Sequence, residues 1–275
     1  MPHSAPVEAH HFEALGTTCS VFAVGRPRGR LLESEFWVRR MGARMTRFTP
    51  DSELSLFNAS AGRWVEISAE LELLLRESLR AFEKSAGLVN VAVLPAMAAI
   101  GYTRPLSEGT PMATEPRPSP LPALPDVLSV RSGAAQLEPG AGIDLGGIAK
   151  GWIADRLCET LGPNALANIG GDISAAGEGA AGGGWPVGLA GVTVLLRDRG
   201  AATSSVRRRS WGEHHHLIDP RTGLPARTGL EEVSVIAANG VEAEVVAKTA
   251  LLVGPELAPM FCAAHALAWW LALVT

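Results

Sequence analysis

The sequence predicts an α+β fold, because short apolar strands separated by glycine turns alternate with a few amphipathic helices. Of the 275 residues, 47% are hydrophobic and 19% are charged, which is enough apolar material for one large domain or two small ones. The 30 glycines and 19 prolines supply the turns. These features predict the α+β class and leave the choice between one domain and two open.

Helices are predicted where apolar residues recur at helical spacing, over 31–45, 69–82, 147–161 and 242–253. Ser68 is suited to cap the start of the second helix. Gly162 and Gly254 lie just past the ends of the third and fourth, where glycine commonly ends a helix.

Short apolar runs bounded by turn residues predict strands over 127–130, 135–137, 165–169, 173–176, 187–189, 192–196 and 233–237. The apolar tail over 266–274 is too short to span a bilayer, which needs about 20 residues, so we expect a docked terminal helix or strand. Seven prolines make residues 104–125 a loop with polyproline character. The polar residues 1–11 are expected to be a disordered tail.

Composition excludes several classes of function. The net charge of −4 does not favour a nucleic-acid partner, which would need a basic face. Three cysteines without a CxxC spacing indicate buried hydrophobes, not a disulfide framework or a zinc site. No signal-peptide pattern and no membrane-spanning segment is visible, so we expect a cytoplasmic protein. The arginines at 207–209 fit either a solvated loop or a phosphate clamp.

The segment Ile143-Asp-Leu-Gly-Gly-Ile-Ala-Lys-Gly151 is the strongest local signal. A strand delivers Asp144, and the glycine pair at 146–147 lets the backbone turn sharply into a helix. Free N–H groups at the start of that helix form an anion site, to which Lys150 adds a positive charge. A strand–turn–helix that uses glycines for structural reasons alone is the alternative.

The second signal is His214-His-His-Leu-Ile-Asp-Pro-Arg-Thr-Gly223. Neighbouring residues in a strand point to opposite faces, so one or two of the histidines can face a site, but not three. A neutral histidine is a suitable general base near neutral pH. An exposed histidine loop is the alternative.

In their order along nearly the whole chain, these segments resemble the FAD:protein FMN transferase (ApbE) family. The two most specific matches are Asp144-Leu-Gly-Gly-Ile-Ala-Lys-Gly151 and His216-Leu-Ile-Asp-Pro-Arg-Thr-Gly223. The other matching segments are 15–17, 48–58, 168–171, 202–204 and the helix over 243–254.

The resemblance implies a single domain over residues 12–275 with a two-lobed, T-fold-like architecture, in which mixed or antiparallel sheets have flanking helices and FAD lies in a cleft between the lobes. It also implies Mg²⁺ at the pyrophosphate and transfer of FMN to a Thr or Ser hydroxyl of a target protein, with release of AMP. The implied catalytic residue is His216, and the implied metal ligands are Glu244 and the Gly147 carbonyl. The implied flavin or nucleotide contacts are Leu15, Phe57, Asn58, Asp144 and Lys150.

The chain departs from the family pattern at the metal helix, where Asp and then Thr four residues later are usual. Here Glu244 and Lys248 hold those positions, and Thr249 lies one step later and about 100° round the helix. Because an ammonium cannot ligate Mg²⁺, Lys248 either points away or replaces part of the metal's charge. Asn90 stands where the family has a carboxylate, and Leu15 where Met is common.

An active transferase is the leading functional hypothesis, because both specific segments are intact. A protein that binds or carries FAD without transferring it is the second, motivated by positions 90, 244 and 248. A Mg²⁺-dependent FAD pyrophosphatase, in which water replaces the hydroxyl acceptor, is the third.

Overall fold

The structure, a computed structural model, describes residues 6–112 and 115–274. Its α-helices are α1 (Arg28–Met45), α2 (Glu53–Ala59), α3 (Ala69–Lys84), α4 (Leu94–Ala99), α5 (Leu124–Val127), α6 (Ala149–Leu161), α7 (Gly240–Val253) and α8 (Ala258–His265). Its strands are β1 (Val7–Ala14), β2 (Thr17–Val24), β3 (Val65–Glu66), β4 (Leu128–Arg131), β5 (Ala134–Leu137), β6 (Ala165–Ile169), β7 (Asp172–Ala176), β8 (Trp185–Leu189), β9 (Val192–Leu196), β10 (Arg199–Ser205), β11 (Ser210–Trp211), β12 (His214–His215), β13 (Ile218–Asp219), β14 (Leu224–Pro225), β15 (Leu230–Ala237) and β16 (Ala268–Leu273). The α+β prediction is confirmed.

A seven-stranded sheet in the order β1-β2-β6-β7-β10-β15-β16 forms the centre of the fold, and each of its neighbouring pairs is antiparallel. Helices α1, α6 and α7 pack on one face of this sheet. The β8–β9 hairpin covers part of the other face through Trp185, Val187 and Leu196. A small sheet in the order β3-β5-β4 lies apart from the large one.

The predicted disordered tail is wrong for residues 7–11, because they belong to β1. Strand β1 pairs with β2 along its whole length, so its backbone groups are satisfied by a partner that composition does not reveal. Polar side chains are also held there, since His10 Nε2 lies 2.6 Å from Glu35 Oε2. Residues 1–5 of the predicted tail lie outside the described residues.

The other predicted helices and strands are found, with shifted ends, except that no strand delivers Asp144: residues 141–145 have no regular secondary structure. Strand β4 begins at Leu128 because Val127 ends the short helix α5, which overlaps the last residues of the predicted proline-rich loop. Proline is tolerated there, since it occupies the first turn of a helix. The tail over 266–274 contains β16, which pairs with β15 at the edge of the large sheet. Within the described residues, no helix has the length and apolar character needed to cross a membrane.

Candidate functional site

A cavity of about 650 Å³ opens beside the start of α6. This volume is within the usual range for a small-molecule or cofactor site. Its walls come from the β1–β2 turn, α1, segments 46–48 and 88–107, the start of α6, the segment 209–218 and the end of α7. Five of the eight residues predicted for the site line this cavity, namely Leu15, Asp144, Gly147, Lys150 and His216.

Asp144 opens the glycine turn and fixes its shape. Its Oδ1 accepts a hydrogen bond of 2.7 Å from the Gly146 N–H, and its own N–H donates to the Val91 carbonyl at 2.9 Å. Its Oδ2 is paired with the Arg47 guanidinium. Asp144 therefore lies on the cavity wall, but both of its oxygens already accept hydrogen bonds within the protein.

Arg47 is a site residue that the sequence did not single out. Its guanidinium lies 4.2 Å from the ring centre of Phe48 and 4.7 Å from that of Tyr102, within cation–π range. The Arg47 Nη2 is buried and has no hydrogen-bond partner among the described residues. One wall of the cavity is thus an aromatic surface with a nearly buried cation.

Phe57 and Asn58, predicted to contact the flavin, do not line the cavity. Phe57 is 2% exposed and belongs to the main core. The Asn58 amide bonds both backbone groups of Ile143, donating to its carbonyl at 2.9 Å and accepting from its N–H at 2.8 Å. Both residues support the segment that carries Asp144, and neither reaches the cavity wall.

Leu15 lies at the tip of the β1–β2 hairpin and does line the cavity. Leu15 and Gly16 have φ values of 56° and 67°, as a two-residue type I′ turn requires. Leucine rarely adopts this conformation, and such residues cluster at functional sites. The Leu15 side chain packs onto α1 at Gly42, where an added Cβ would lie 2.7 Å from its Cδ2.

Beneath the glycine turn lies a charged cluster that connects α6, β7 and α7. Lys150 Nζ forms an ion pair with Asp172, and it lies 3.2 Å from Glu244 Oε1. The other Glu244 oxygen accepts a 3.0 Å hydrogen bond from the Gly151 N–H. Asp172 and Glu244 are both buried, so the carboxylates depend on these partners for their stability.

The cluster shifts the pKa values of its members. Burial alone would raise the pKa of Glu244, but the charges of Lys150 and Lys248 and the Gly151 hydrogen bond lower it overall. Burial and the negative charge of Glu244 raise the pKa of Asp172. Burial alone would lower the pKa of Lys150, but Asp172 and Glu244 raise it overall. We conclude that Glu244 and Lys150 are charged at neutral pH.

The two residues predicted to ligate Mg²⁺, Gly147 and Glu244, come together around an ammonium group. Lys248 Nζ donates a 2.5 Å hydrogen bond to the Gly147 carbonyl and lies 3.7 Å from Glu244 Oε1. Burial lowers the pKa of Lys248, and Glu244 opposes that shift. No group of three or more metal-binding side chains occurs among the described residues. The donor set therefore does not fit a divalent cation.

Helices α6 and α7 contact each other at Gly151 and Gly240, and this contact holds the charged cluster together. A Cβ added to Gly151 would lie 2.7 Å from the Gly240 carbonyl oxygen, so α6 approaches the first residue of α7 at backbone distance. The side chain of Asp155 accepts hydrogen bonds from the N–H groups of Gly240 and Val241 at 2.8 and 3.0 Å. This contact lets a carboxylate of α7 reach the Gly151 N–H of α6.

His216 lines the cavity close to the glycine turn and the lysines. Its Nδ1 is buried and has no hydrogen-bond partner in the described part of the chain. Burial, together with the positive charges of Arg209, Lys248 and Lys150, lowers the pKa of His216 well below its ordinary value of 6.5. A neutral imidazole with a free nitrogen is suited to take a proton from a bound molecule.

The three adjacent histidines point to different surroundings, as expected for an extended chain. His215 is buried, and its Nε2 bonds the Ala226 carbonyl at 2.9 Å. His214 packs near the Trp211 ring. Only His216 of the three lines the cavity.

The Asp219-Pro-Arg-Thr-Gly223 turn anchors this segment to α7. Arg221 makes a two-point ion pair with the Asp219 carboxylate, through Nε at 2.9 Å and Nη2 at 2.7 Å. The same Nη2 donates to the Leu252 carbonyl at 2.7 Å, near the end of α7. At Gly223, with φ of 69°, an added Cβ would lie 2.1 Å from the Ser119 carbonyl, so only glycine lets the proline-rich loop pack here.

Of the three arginines at 207–209, two are exposed on the surface and one lines the cavity. Arg207 is exposed and pairs with Glu231. Arg208 is also exposed and approaches the Gly170 carbonyl at 3.5 Å. Arg209 alone of the three lines the cavity, and its carbonyl accepts a hydrogen bond from the His216 N–H at 3.2 Å.

Comparison with known proteins identifies the family. A sequence model described as the ApbE family matches residues 15–270. The chain belongs to the ApbE family. Among solved ApbE structures, the protein of Thermotoga maritima superimposes with a TM-score of 0.86 at 22% identity, covering 98% of this chain and 94% of the other. The apo flavinyl transferase ApbE of Pseudomonas stutzeri gives a TM-score of 0.82 at 21% identity, with the same coverage. The ApbE fold is therefore confirmed.

Two relatives of this ApbE chain carry the name FAD:protein FMN transferase. The protein of Haemophilus influenzae is 28% identical over 252 residues, which cover 82% of this chain and 73% of the relative. That of Treponema pallidum is 30% identical over 254 residues, which cover 75% of this chain and 66% of the relative.

Proposed function

We propose that this ApbE-family chain transfers FMN from FAD onto a Thr or Ser hydroxyl of a target protein, with release of AMP. The observation that carries the proposal is the position of His216, a base that its surroundings keep neutral, at the wall of a cavity that the glycine turn before α6 also lines. Relatives named FAD:protein FMN transferase support the same reaction.

The cavity wall carries two kinds of surface that suit a flavin dinucleotide. Phe48, Tyr102 and Leu15 offer aromatic and apolar surface for a ring system. The Gly146–Gly147 turn, Lys150 and Arg209 surround the part where phosphates would lie. Backbone N–H groups at a helix start and nearby cations are the usual recognition groups for a pyrophosphate.

The reaction is a displacement at phosphorus. The acceptor oxygen forms a bond to the FMN phosphorus, the bond from that phosphorus to the bridging oxygen breaks, and the bridging oxygen leaves with its electron pair as part of AMP. The acceptor hydroxyl's proton goes to the unprotonated ring nitrogen of the neutral His216 imidazole. Cations around the phosphates stabilise the charge that develops on their oxygens.

The Mg²⁺ implied by the family resemblance is not part of this reaction scheme. Its expected ligands, the Gly147 carbonyl and the Glu244 carboxylate, are engaged by Lys248 and Lys150. No step is therefore assigned to a metal.

Transfer is tested by incubating the protein with FAD and a target protein that bears an acceptor Thr. We expect covalent flavin on the target, seen by in-gel fluorescence, and an equal amount of AMP, measured by chromatography. FAD binding without AMP release would indicate a flavin carrier. Free FMN without any target would indicate a pyrophosphatase, and either result would refute the transferase.

His216→Ala is expected to retain FAD binding and to slow transfer by about 100-fold or more, since general bases contribute about 10²–10⁴-fold. His265→Ala is the matched control, because His265 is exposed on α8 and contacts Phe261, away from the cavity. A transfer rate for His216→Ala equal to that of the control would remove the base role.

A further inference from the structure

Lys248 occupies the position at which the family resemblance places a metal ion. Its ammonium donates to the Gly147 carbonyl at 2.5 Å, across 101 positions of sequence. The surrounding backbone leaves room for the ammonium, since a Cβ at Gly147 would lie 2.4 Å from Lys248 Nζ. Of the three lysines in the sequence, two meet in this cluster.

The charges of the cluster balance without a metal. Lys150 and Lys248 supply two positive charges, and Asp172 and Glu244 supply two negative charges. Arg209 faces the same cavity and adds a positive charge, because the guanidinium stays protonated in proteins. An incoming pyrophosphate therefore meets an excess of positive charge.

A divalent cation has no free oxygen ligands here. It would have to displace Lys248 from the Gly147 carbonyl and Lys150 from Glu244, and both ammonium groups would remain beside it. At the same distance, each ammonium would repel a dication twice as strongly as it repels a unit cation. Mg²⁺ also needs near-octahedral oxygen coordination.

We propose that the Lys248 ammonium is the resident cation of this site, and that the chain binds the pyrophosphate of FAD without a divalent metal. Lys248 lines the cavity, so its remaining N–H bonds can donate directly to phosphate oxygens. The inference rests on the proposed function only in taking FAD as the ligand.

The test is to measure FAD affinity by titration calorimetry in excess EDTA and again in millimolar Mg²⁺. We expect the two dissociation constants to agree within about a factor of two. A tenfold difference between them would correspond to about 1.4 kcal/mol in the free energy of binding. A tenfold or larger gain in affinity with Mg²⁺ would overturn the inference. Absence of FAD binding in both conditions would overturn it as well.

Lys248→Met removes the charge and keeps most of the volume of the side chain. We expect it to weaken FAD binding in EDTA by about tenfold or more, the usual effect of losing a charged hydrogen bond. Lys84→Met is the matched control, because Lys84 is exposed and pairs only with Glu242 on the surface. Equal affinities for the two variants would contradict the role of Lys248.

Lysine-specific isotope labelling supplies a readout in the unaltered protein that does not depend on enzymatic activity. The three lysines give three side-chain signals, assigned with the two variants. We expect FAD to shift the Lys248 signal and Mg²⁺ alone to leave it unchanged. A shift of that signal with Mg²⁺ alone would show that a metal enters the cluster.

These measurements separate the inference from the proposed function. Metal-independent FAD binding without covalent transfer would refute the transferase and leave the role of Lys248 intact. Covalent transfer by a protein that binds FAD only with Mg²⁺ would support the transferase and refute the role of Lys248 as the resident cation.

Discussion

A single histidine at the cavity wall carries the proposed chemistry. Burial and three cationic neighbours keep the His216 imidazole neutral, because each would be unfavourable for an imidazolium. The same cations favour bound phosphate groups. Once phosphate is bound, its negative charge offsets the positive charge of these neighbours. The free energy needed to form the His216 imidazolium during transfer is therefore lower.

The lowered pKa of His216 predicts the pH dependence of the reaction. A base works when it is deprotonated, so kcat/KM falls as pH drops through the pKa of the free enzyme. Because this pKa lies well below 6.5, we expect no acid loss of kcat/KM between about pH 8 and pH 6.5. Initial rates of AMP release across this range provide the measurement.

A clear decrease of kcat/KM already at the ordinary histidine pKa would contradict the buried, cation-flanked position of His216. The His265→Ala variant, which leaves the cavity unchanged, serves as the reference for unrelated effects of pH on the target protein.

Individual site residues were predicted unevenly from the sequence. Specific local sequence motifs contain Asp144, Lys150 and His216, and all three residues line the cavity. Arg47 was missed because its contact with Asp144 spans 97 positions and no short pattern marks it. Phe57 and Asn58 were predicted from family position, and only the packing of α2 against Ile143 shows that they face away from the cavity.

The charged cluster depends on the close contact between α6 and α7. Gly151 ends the specific Asp144–Gly151 string, and its missing side chain allows the Gly240 backbone to approach. The sequence predicted both helices but not their contact, since no periodicity within either helix encodes the neighbour. The glycine at position 151 therefore serves packing as well as the turn.

Gly151→Ala should separate the two helices. The new Cβ would meet the Gly240 carbonyl oxygen at 2.7 Å, and backbone atoms cannot rotate away. We expect a loss of about 1–3 kcal/mol in the free energy of unfolding, typical of overpacking, and weaker FAD binding because Glu244 leaves the Gly151 N–H. Urea denaturation and calorimetry measure the two effects.

Gly29→Ala in α1 is the control, because no atom lies within 4 Å of the added Cβ. We expect it to change the free energy of unfolding by no more than about 1 kcal/mol, the scale of helix propensity. Equal effects of the two substitutions would mean that the crossing tolerates a side chain.

Across the whole molecule, the apolar pattern predicted the fold class, four of the helices and three strands of the large sheet, β6, β7 and β15, and it left the terminal segment that contains β16 open as a helix or a strand. Strand β1 was missed because it contains several polar residues, whereas pairing with β2, burial of Phe12 and the contact of His10 with Glu35 hold it in the sheet. Sheet order could not be predicted either, since β2 pairs with β6 across more than one hundred residues.

The arrangement as a whole brings the proposed phosphate-binding surface together from distant parts of the chain: the turn before α6, Lys248 of α7, and the segment that carries Arg209 and His216 all line one cavity. A crystal structure with FAD bound, grown in the presence of Mg²⁺, would locate the pyrophosphate directly. We expect it within hydrogen-bond distance of Lys248 Nζ and the Gly147 N–H, with no metal between Gly147 and Glu244. Density for a metal at that position, or a pyrophosphate bound away from the glycine turn, would show that the site works differently.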